Sequence, residues 1–254
     1  MSPTPDFQSF AIELAEAAGE IIRPFFGNPS ISVDAKADAT PVTQADRNAE
    51  SVIRERIARR FPDHGILGEE FGAERADAEY TWVIDPIDGT KSFITGCPLF
   101  GTLIALLHQG RPILGLIHQP ILRQICLGNG STTTLNGRAV KVRRGLPLSS
   151  ASLLLTSFLS VGRHQDEAGF DRLCSAISLA RTWGDCYGYL LVAAGFADIM
   201  LDPIVNDWDK LALIPVIEGA GGIITDWQGG DPVTGSSIVA ASPDLHPEVI
   251  GLLN

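Results

Sequence analysis

The sequence predicts an α/β (α+β) protein made of two sub-domains, and three features indicate this. Residues 80–128 hold closely spaced apolar runs typical of a largely antiparallel sheet, whereas strands and helices alternate after about residue 145. The 254 residues are 45% hydrophobic and 19% charged, which suits well-packed globular domains. We therefore expect an N-terminal α+β sub-domain (residues 1–145), a C-terminal α/β sub-domain (146–254) and a functional cleft between them.

The N-terminal sub-domain is expected to begin with two amphipathic helices. Apolar residues recur every three or four positions from Asp6 to Phe26, and residues 27–29 (Gly-Asn-Pro) should end this helix. A second helix is predicted from about Ala45 to Phe61, before Pro62. Strands are then predicted at 80–85, 99–108, 112–118 and 123–128.

The C-terminal sub-domain is expected to follow the basic connector KVRRGLPLSS (141–150). Its predicted strands are SLLLTS (152–157), DIML (198–201), GGIITDW (221–227) and SSIVAAS (236–242). Its predicted helices lie near 167–178, at 185–195, at 208–219 and after Pro243.

The charge of the chain excludes some partners. Thirty acidic and nineteen basic residues give a net charge of -11, which disfavours a broad nucleic-acid-binding surface. An anionic substrate would also be repelled unless bound cations reversed the local field. The four scattered cysteines suggest reduced thiols, and no secretory leader or membrane-spanning run is evident. We therefore expect a cytoplasmic protein that binds neither nucleic acid nor membrane.

The most informative stretch is WVIDPIDGT (82–90), in which an apolar strand leads into a turn with two carboxylates. Asp85 and Asp88, with the Ile87 carbonyl between them, form a set of hard oxygen ligands of the kind that Mg²⁺ prefers. An ordinary turn is the alternative, because Asp-Pro and Asp-Gly are common turn formers.

Other acidic residues lie in similar local contexts. Glu69 follows a short apolar step, Asp209 lies at the start of a predicted helix, and Asp46 completes a possible capping box that begins at Thr43. Each of the last two could simply cap a helix, and Asp207 could be the cap beside Asp209.

These motifs occur together and in order, and as a set they resemble the inositol monophosphatase family. They are VTQAD (42–46), GEE (68–70), WVIDPIDGT and the WD pair at 208–209. The resemblance implies the five-layered αβαβα sandwich of the inositol monophosphatase and sugar phosphatase type. It also implies a requirement for two or three Mg²⁺ ions, hydrolysis of a small phosphorylated alcohol, and a homodimer.

The resemblance further implies a role for each residue. Glu69, Asp85 and the Ile87 carbonyl would bind one metal ion, and Asp85, Asp88 and Asp209 a second. Asp46 and Thr90, together with Glu69, would serve the attacking water, with the Thr90 hydroxyl donating to Asp46. The Gly89 and Thr90 amides would hold phosphate oxygens, and Lys36 is either a neighbour of the metal ions or a solvated loop lysine. The crowding of five carboxylates also favours bound cations.

The second half of the chain should select the alcohol. The string GDCYGY (184–189) resembles the histidinol-phosphatase branch, whose substrate carries an ammonium group. We expect Asp185, Asp202 and Asp209 to contact the substrate, although Asp185 could instead cap a helix and Asp202 could form a turn. Thr156, Ser157 and Trp183 are further candidates for ligand contact.

The predicted reaction is hydrolysis of L-histidinol phosphate to L-histidinol and phosphate, a step of histidine biosynthesis, by direct attack of water. One alternative is an inositol-1-phosphate or broad sugar-phosphate phosphatase. The other is a silent regulator that binds metal or phosphate, but such a protein has no chemical need for the whole acidic set.

Overall fold

The computed structural model describes residues 5–35 and 41–254. Most of the predicted helices are present with bounds close to those expected, and short 3₁₀ turns follow the first helix and precede the second sheet. The helices are α1 (Pro5–Ile22), α2 (Gln44–Arg60), α3 (Thr90–Ile94), α4 (Phe158–His164), α5 (Glu167–Ala176), α6 (Asp185–Ala193), α7 (Asp207–Lys210), α8 (Leu213–Gly219) and α9 (His246–Leu253).

Most strands belong to two sheets, of eight and five strands. The larger sheet has the order β10-β9-β8-β7-β6-β5-β3-β4 and is antiparallel except where β3 pairs with β5. The smaller has the order β12-β11-β13-β15-β14, and β1 and β2 form a separate pair. The strands are β1 (Val33–Ala35), β2 (Pro41–Thr43), β3 (Gly65–Gly68), β4 (Gly72–Glu74), β5 (Tyr80–Asp88), β6 (Gly101–His108), β7 (Arg111–Gln119), β8 (Gln124–Gly128), β9 (Thr133–Leu135), β10 (Arg138–Val140), β11 (Ser152–Leu155), β12 (Leu179–Arg181), β13 (Ile199–Asp202), β14 (Ile223–Thr225) and β15 (Ile238–Ala241).

The larger sheet contributes its two faces to two different cores, because successive side chains of a strand point to opposite faces. On β5, Trp82 and Ile84 pack with α1 and α2, whereas Val83 packs with α6 and α8 on the opposite face. Of these two helices, α8 with its N-cap residue lies directly on the sheet at two glycines. A Cβ atom at Gly115 would be 1.9 Å from the Ala212 carbonyl oxygen, and one at Gly128 would be 2.4 Å from that of Pro215.

The smaller sheet follows the same pattern on the other side of α6 and α8. Leu154 and Met200 pack toward these two helices, whereas Leu153 and Ile199 pack with α5 and α9. The layers therefore run helices, sheet, helices, sheet, helices. The five-layered αβαβα sandwich predicted from the sequence is confirmed, while the division of the chain at residue 145 stays a prediction.

Two local expectations were wrong. The predicted helix at 208–219 is divided into α7 and α8, and Pro215 supplies a physical reason because it has no N–H to donate to the Leu211 carbonyl one turn earlier. Asn206, not Asp207, caps α7. The sequence prediction also missed α4 and several short strands, notably the edge strands β4, β10 and β12, which are too short to show a period.

All four cysteines are free thiols, as the sequence suggested. No helix within the described ranges has the length and apolar character needed to span a membrane.

Candidate metal centre and active site

A bulge at the end of β5 brings two acidic side chains to the same place. Asp85 lies opposite Leu103 of β6, and Asp88 lies opposite Gly101. The two positions are three residues apart on β5 but only two residues apart on β6, so β5 contains one extra residue. In a regular strand, residues three apart point to opposite faces, and the extra residue of a bulge removes this difference. The Asp85 carboxylate also accepts a hydrogen bond from the Ile87 amide at 3.0 Å, as in an Asp turn.

Two further acidic residues reach the same site from neighbouring elements. Glu69 directly follows β3, and its amide donates to the Ile84 carbonyl of β5 at 3.1 Å. Asp209 lies in the first turn of α7 and accepts a hydrogen bond from the Asn206 amide at 2.8 Å. Asp209 therefore completes the capping box that Asn206 begins and also belongs to the acidic cluster, so the two alternatives considered from the sequence are compatible.

The carboxyl groups of this cluster are crowded. One oxygen from each of Asp85, Asp88 and Asp209 lies within 4.8 Å of the others. Burial, followed by the charges of Glu69, Asp88 and Asp209, raises the pKa of Asp85 well above its ordinary value. Burial also raises the pKa of Asp88 well above its ordinary value and that of Asp209 to about 6.

This donor set fits a divalent metal ion. Carboxylates this close together repel one another, so without a cation some of these buried groups would have to carry protons. Bound cations would remove the need for these protons, and carboxylate oxygens are the ligands that hard cations prefer. The cluster is therefore of the kind that holds a divalent metal ion.

Asp185 lies beside the turn that follows this cluster. Gly89 has a φ of +88°, and a Cβ atom there would be 2.9 Å from an Asp185 carboxylate oxygen, so both the backbone and the close approach require glycine. Asp185 itself has a φ of +50°, an uncommon conformation for a residue other than glycine. Its carboxylate is hydrogen-bonded to the Ser92 side chain. Burial, followed by the charge of Asp209, raises the pKa of Asp185 to about 6.

Two adjoining cavities of about 410 and 510 Å³ form a cleft at this point. The larger contains the acidic cluster together with Gly89 and Thr90, and the smaller extends toward Asp202 and Arg163. The side chains common to both cavities are those of Asp88, Lys91, Thr156, Ser157, Asp185, Ile204 and Asp209.

The sequence matches a known family along nearly its whole length. The family model described as the inositol monophosphatase family matches residues 5–254. The chain belongs to the inositol monophosphatase family. Its relatives include a histidinol-phosphatase from Chlorobaculum parvum, which is 42% identical over 252 residues, or 98% of this chain and 97% of that protein.

Other members of the inositol monophosphatase family agree with this assignment. The chloroplastic bifunctional phosphatase IMPL2 of Arabidopsis thaliana is 44% identical over 257 residues, or 96% of this chain and 74% of that protein. The solved structure of an inositol monophosphatase from Zymomonas mobilis has a TM-score of 0.88 and 38% identity, covering 100% of this chain and 99% of the other. Like these relatives, the protein is a phosphoric monoester hydrolase.

One contact expected from the family resemblance is absent. The Thr90 hydroxyl donates to the Ile87 carbonyl at 3.1 Å and not to Asp46. Asp46 instead accepts from the Thr43 amide and hydroxyl, at 2.9 and 2.6 Å, in the predicted capping box. The other carboxylate oxygen of Asp46, Oδ1, is buried and has no hydrogen-bond partner within the described residues. Burial raises the pKa of Asp46.

Asp202 lines the smaller cavity, but both of its carboxylate oxygens are already hydrogen-bonded. The Tyr189 hydroxyl donates to one of them at 2.9 Å, and the Thr156 amide donates to the other at 3.3 Å. The Thr156 hydroxyl then accepts from the Asp185 amide at 2.9 Å. Asp202 therefore supports the backbone around Asp185, a role that the sequence did not suggest.

The other residues predicted to contact a ligand differ in whether they line the cleft. Thr156 and Ser157 line both cavities, whereas Trp183 is 43% exposed and lines neither. Lys36 lies outside the described residues. Lys91 and Ser92 also line the cleft, and the sequence analysis did not identify them, although their position directly after DPIDGT was a usable signal. Tyr189 was also missed, because no local pattern shows that its hydroxyl reaches Asp202.

We expect Asp202 to make the protein less stable as the pH rises. Burial raises the pKa of Asp202 from its ordinary 3.8 to about 7, although hydrogen bonds from Thr156 and Tyr189 oppose this effect. Between these values the folded state holds a proton that the unfolded state releases, so the free energy of unfolding falls as pH increases. This pKa difference corresponds to at most roughly 4 kcal/mol.

Urea unfolding with a chelator at about pH 5 and about pH 8 would measure this effect. Wild type should lose more stability between these conditions than Asp202→Asn, whose amide can hydrogen-bond to the same two partners without titrating. Equal losses would show that Asp202 does not titrate in this range.

Proposed function

We propose that the protein hydrolyses L-histidinol phosphate to L-histidinol and phosphate, with Mg²⁺ as its cofactor. The observation that carries this proposal is the position of the Asp185 carboxylate, beside the acidic cluster and on the wall of both cavities. The histidinol-phosphatase from Chlorobaculum parvum, 42% identical over 98% of this chain, supports the same substrate.

Asp185 suits a cationic alcohol for an electrostatic reason. Burial and the charge of Asp209 oppose ionisation of Asp185, whereas the nearby Lys91 favours it. An ammonium group in the cleft would stabilise the ionised form of Asp185 further. A neutral polyol would supply no positive charge to offset the burial of this carboxylate. The site therefore favours an amine close to the phosphate ester.

The proposed metal ligands are Glu69, the Ile87 carbonyl and the three aspartates of the cluster (Asp85, Asp88 and Asp209). When bound, two or three Mg²⁺ ions would polarise the phosphoryl oxygens, lower the pKa of the attacking water and stabilise the leaving alkoxide. The Gly89 and Thr90 amides are proposed to hold phosphate oxygens, because Gly89 has a left-handed backbone that turns directly into α3.

Asp46, Thr90 and Glu69 are proposed to orient and deprotonate the attacking water. Asp46 Oδ1 has no hydrogen-bond partner among residues 5–35 and 41–254, which supports this assignment because a buried oxygen without a hydrogen bond costs stability and calls for an explanation. Rotation of the Thr90 hydroxyl away from the Ile87 carbonyl would free it to donate to Asp46 and to accept from water.

The main alternative substrate is inositol 1-phosphate or another sugar phosphate, which the similarity to the Zymomonas mobilis inositol monophosphatase favours. A panel of phosphate esters assayed with and without Mg²⁺ would separate these possibilities by phosphate release. No release from any ester would instead support a silent regulator that binds metal or phosphate.

The Asp185→Asn variant should lose activity selectively toward the amine substrate. A hydrogen bond to a charged group is worth about 1.5 to 3 kcal/mol, so kcat/KM for histidinol phosphate should fall about 10-fold to 100-fold. The kcat/KM for glycerol phosphate should fall far less, because this ester has no ammonium group. Steady-state kinetics with both esters would measure the difference.

Asp171→Asn is a suitable control, since Asp171 is exposed on α5 and lines neither cavity. It should leave both rates unchanged. Equal losses on the two esters in Asp185→Asn would mean that Asp185 supports the fold or the metal site and does not recognise the amine.

A further inference from the structure

Glu50 is a fully buried carboxylate that the sequence analysis did not identify. It lies on α2, one turn after Asp46, and its side chain is 0% exposed. A buried carboxylate is costly unless hydrogen-bond donors compensate for the lost water. The partners of Glu50 therefore indicate what this residue does.

Two of these partners are backbone amides in the segment that carries Glu69. The Glu50 carboxylate accepts from the amides of Glu70 at 2.8 Å and Phe71 at 3.2 Å. The amide of Glu69 itself donates to the Ile84 carbonyl of β5 at 3.1 Å. The backbone that positions the Glu69 side chain is thus held both by β5 and by Glu50.

An arginine and a glycine complete this arrangement. Arg54, one turn further along α2, donates to Glu50 at 2.7 Å and also to the Gly72 carbonyl. Gly68, which precedes Glu69, lies so close that a Cβ atom there would be 1.9 Å from a Glu50 carboxylate oxygen. The carboxylate therefore fits directly beneath the turn between β3 and β4.

We propose that Glu50 is a positioning residue that holds Glu69 in place for metal binding. This inference rests on the proposed function, in which Glu69 is a metal ligand. Residues that support metal ligands typically contribute about 10-fold to 100-fold to metal affinity or activity. Glu50 acts through the backbone and does not touch the metal ion, so it should affect metal affinity more than turnover at saturating metal.

The test compares Glu50→Gln with Glu55→Gln. Glu55 is on the same helix and also pairs with an arginine four residues later, at 2.5 Å, but its side chain is 68% exposed. Calorimetric titration of the metal-free proteins with Mg²⁺ gives the Kd directly. The Mg²⁺ dependence of phosphate release gives half-saturation and the limiting kcat, and thermal unfolding shows whether each variant is folded.

For Glu50→Gln we expect the Kd and the half-saturating Mg²⁺ concentration to rise together, about 10-fold to 100-fold. The limiting kcat should change far less, and Glu55→Gln should match wild type. Gly68→Ala is a second variant, because its methyl group would displace the Glu50 carboxylate while leaving its charge present. It should shift the Kd in the same direction.

A folded Glu50→Gln protein with the Kd of wild type would overturn the proposal. So would failure of both variants to fold, since Glu50 would then be required for the fold as a whole. If wild type releases no phosphate from any ester but binds Mg²⁺, the proposed function fails while the calorimetric comparison still tests Glu50.

Discussion

Asp88→Asn should reduce magnesium-dependent phosphate release by at least about 100-fold, because loss of residues that only support metal ligands already costs about 10-fold to 100-fold. The amide keeps the shape of the side chain but loses the charge that a hard cation requires. Its oxygen can still accept the hydrogen bond from the Cys186 amide. Phosphate release measured against Mg²⁺ concentration would show the loss.

The same variant should remain folded without metal. Burial and the charges of Asp185 and Asp209 raise the pKa of Asp88, so a neutral side chain is well tolerated at this position. Thermal unfolding with a chelator should therefore give Asp88→Asn a stability equal to or above that of wild type. Near-normal activity of the variant at low Mg²⁺ would contradict the assignment of Asp88 as a metal ligand.

Thr90→Val should slow the chemical step by about 100-fold to 10,000-fold, the usual contribution of general acid–base catalysis. Valine removes the hydroxyl at nearly constant volume, so the fold and the Mg²⁺ affinity should be preserved. Single-turnover phosphate release at saturating Mg²⁺ would isolate this step, and calorimetry would check metal binding.

Thr90→Ser is the matched control because it keeps the hydroxyl and loses only a methyl group. Its single-turnover rate should stay close to that of wild type. If Thr90→Val also matches wild type, the hydroxyl has no role in activating water, and its hydrogen bond to the Ile87 carbonyl is structural.

The family, the layered fold and the enzyme class could be predicted from the sequence because their signals are local. The continuous apolar runs of β6 and β15 are typical of strands that are buried on both faces, and their side chains do alternate between two cores. The DPIDGT string likewise places Asp85, Asp88 and Thr90 within six residues, and the family resemblance gives each a chemical role.

Contacts between distant segments could be seen only in the tertiary structure. The hydrogen bonds from the Thr156 amide and the Tyr189 hydroxyl give Asp202 a structural role near Asp185, while its contact with the substrate stays a prediction. In the sequence alone, Glu50 is one more charged residue on a helix. Its role depends on hydrogen bonds from the amides of Glu70 and Phe71, which are 20 and 21 residues away. Local sequence patterns report the conformation of a segment and the chemistry of its side chains. Burial and hydrogen-bond partners depend on which segments the fold brings together.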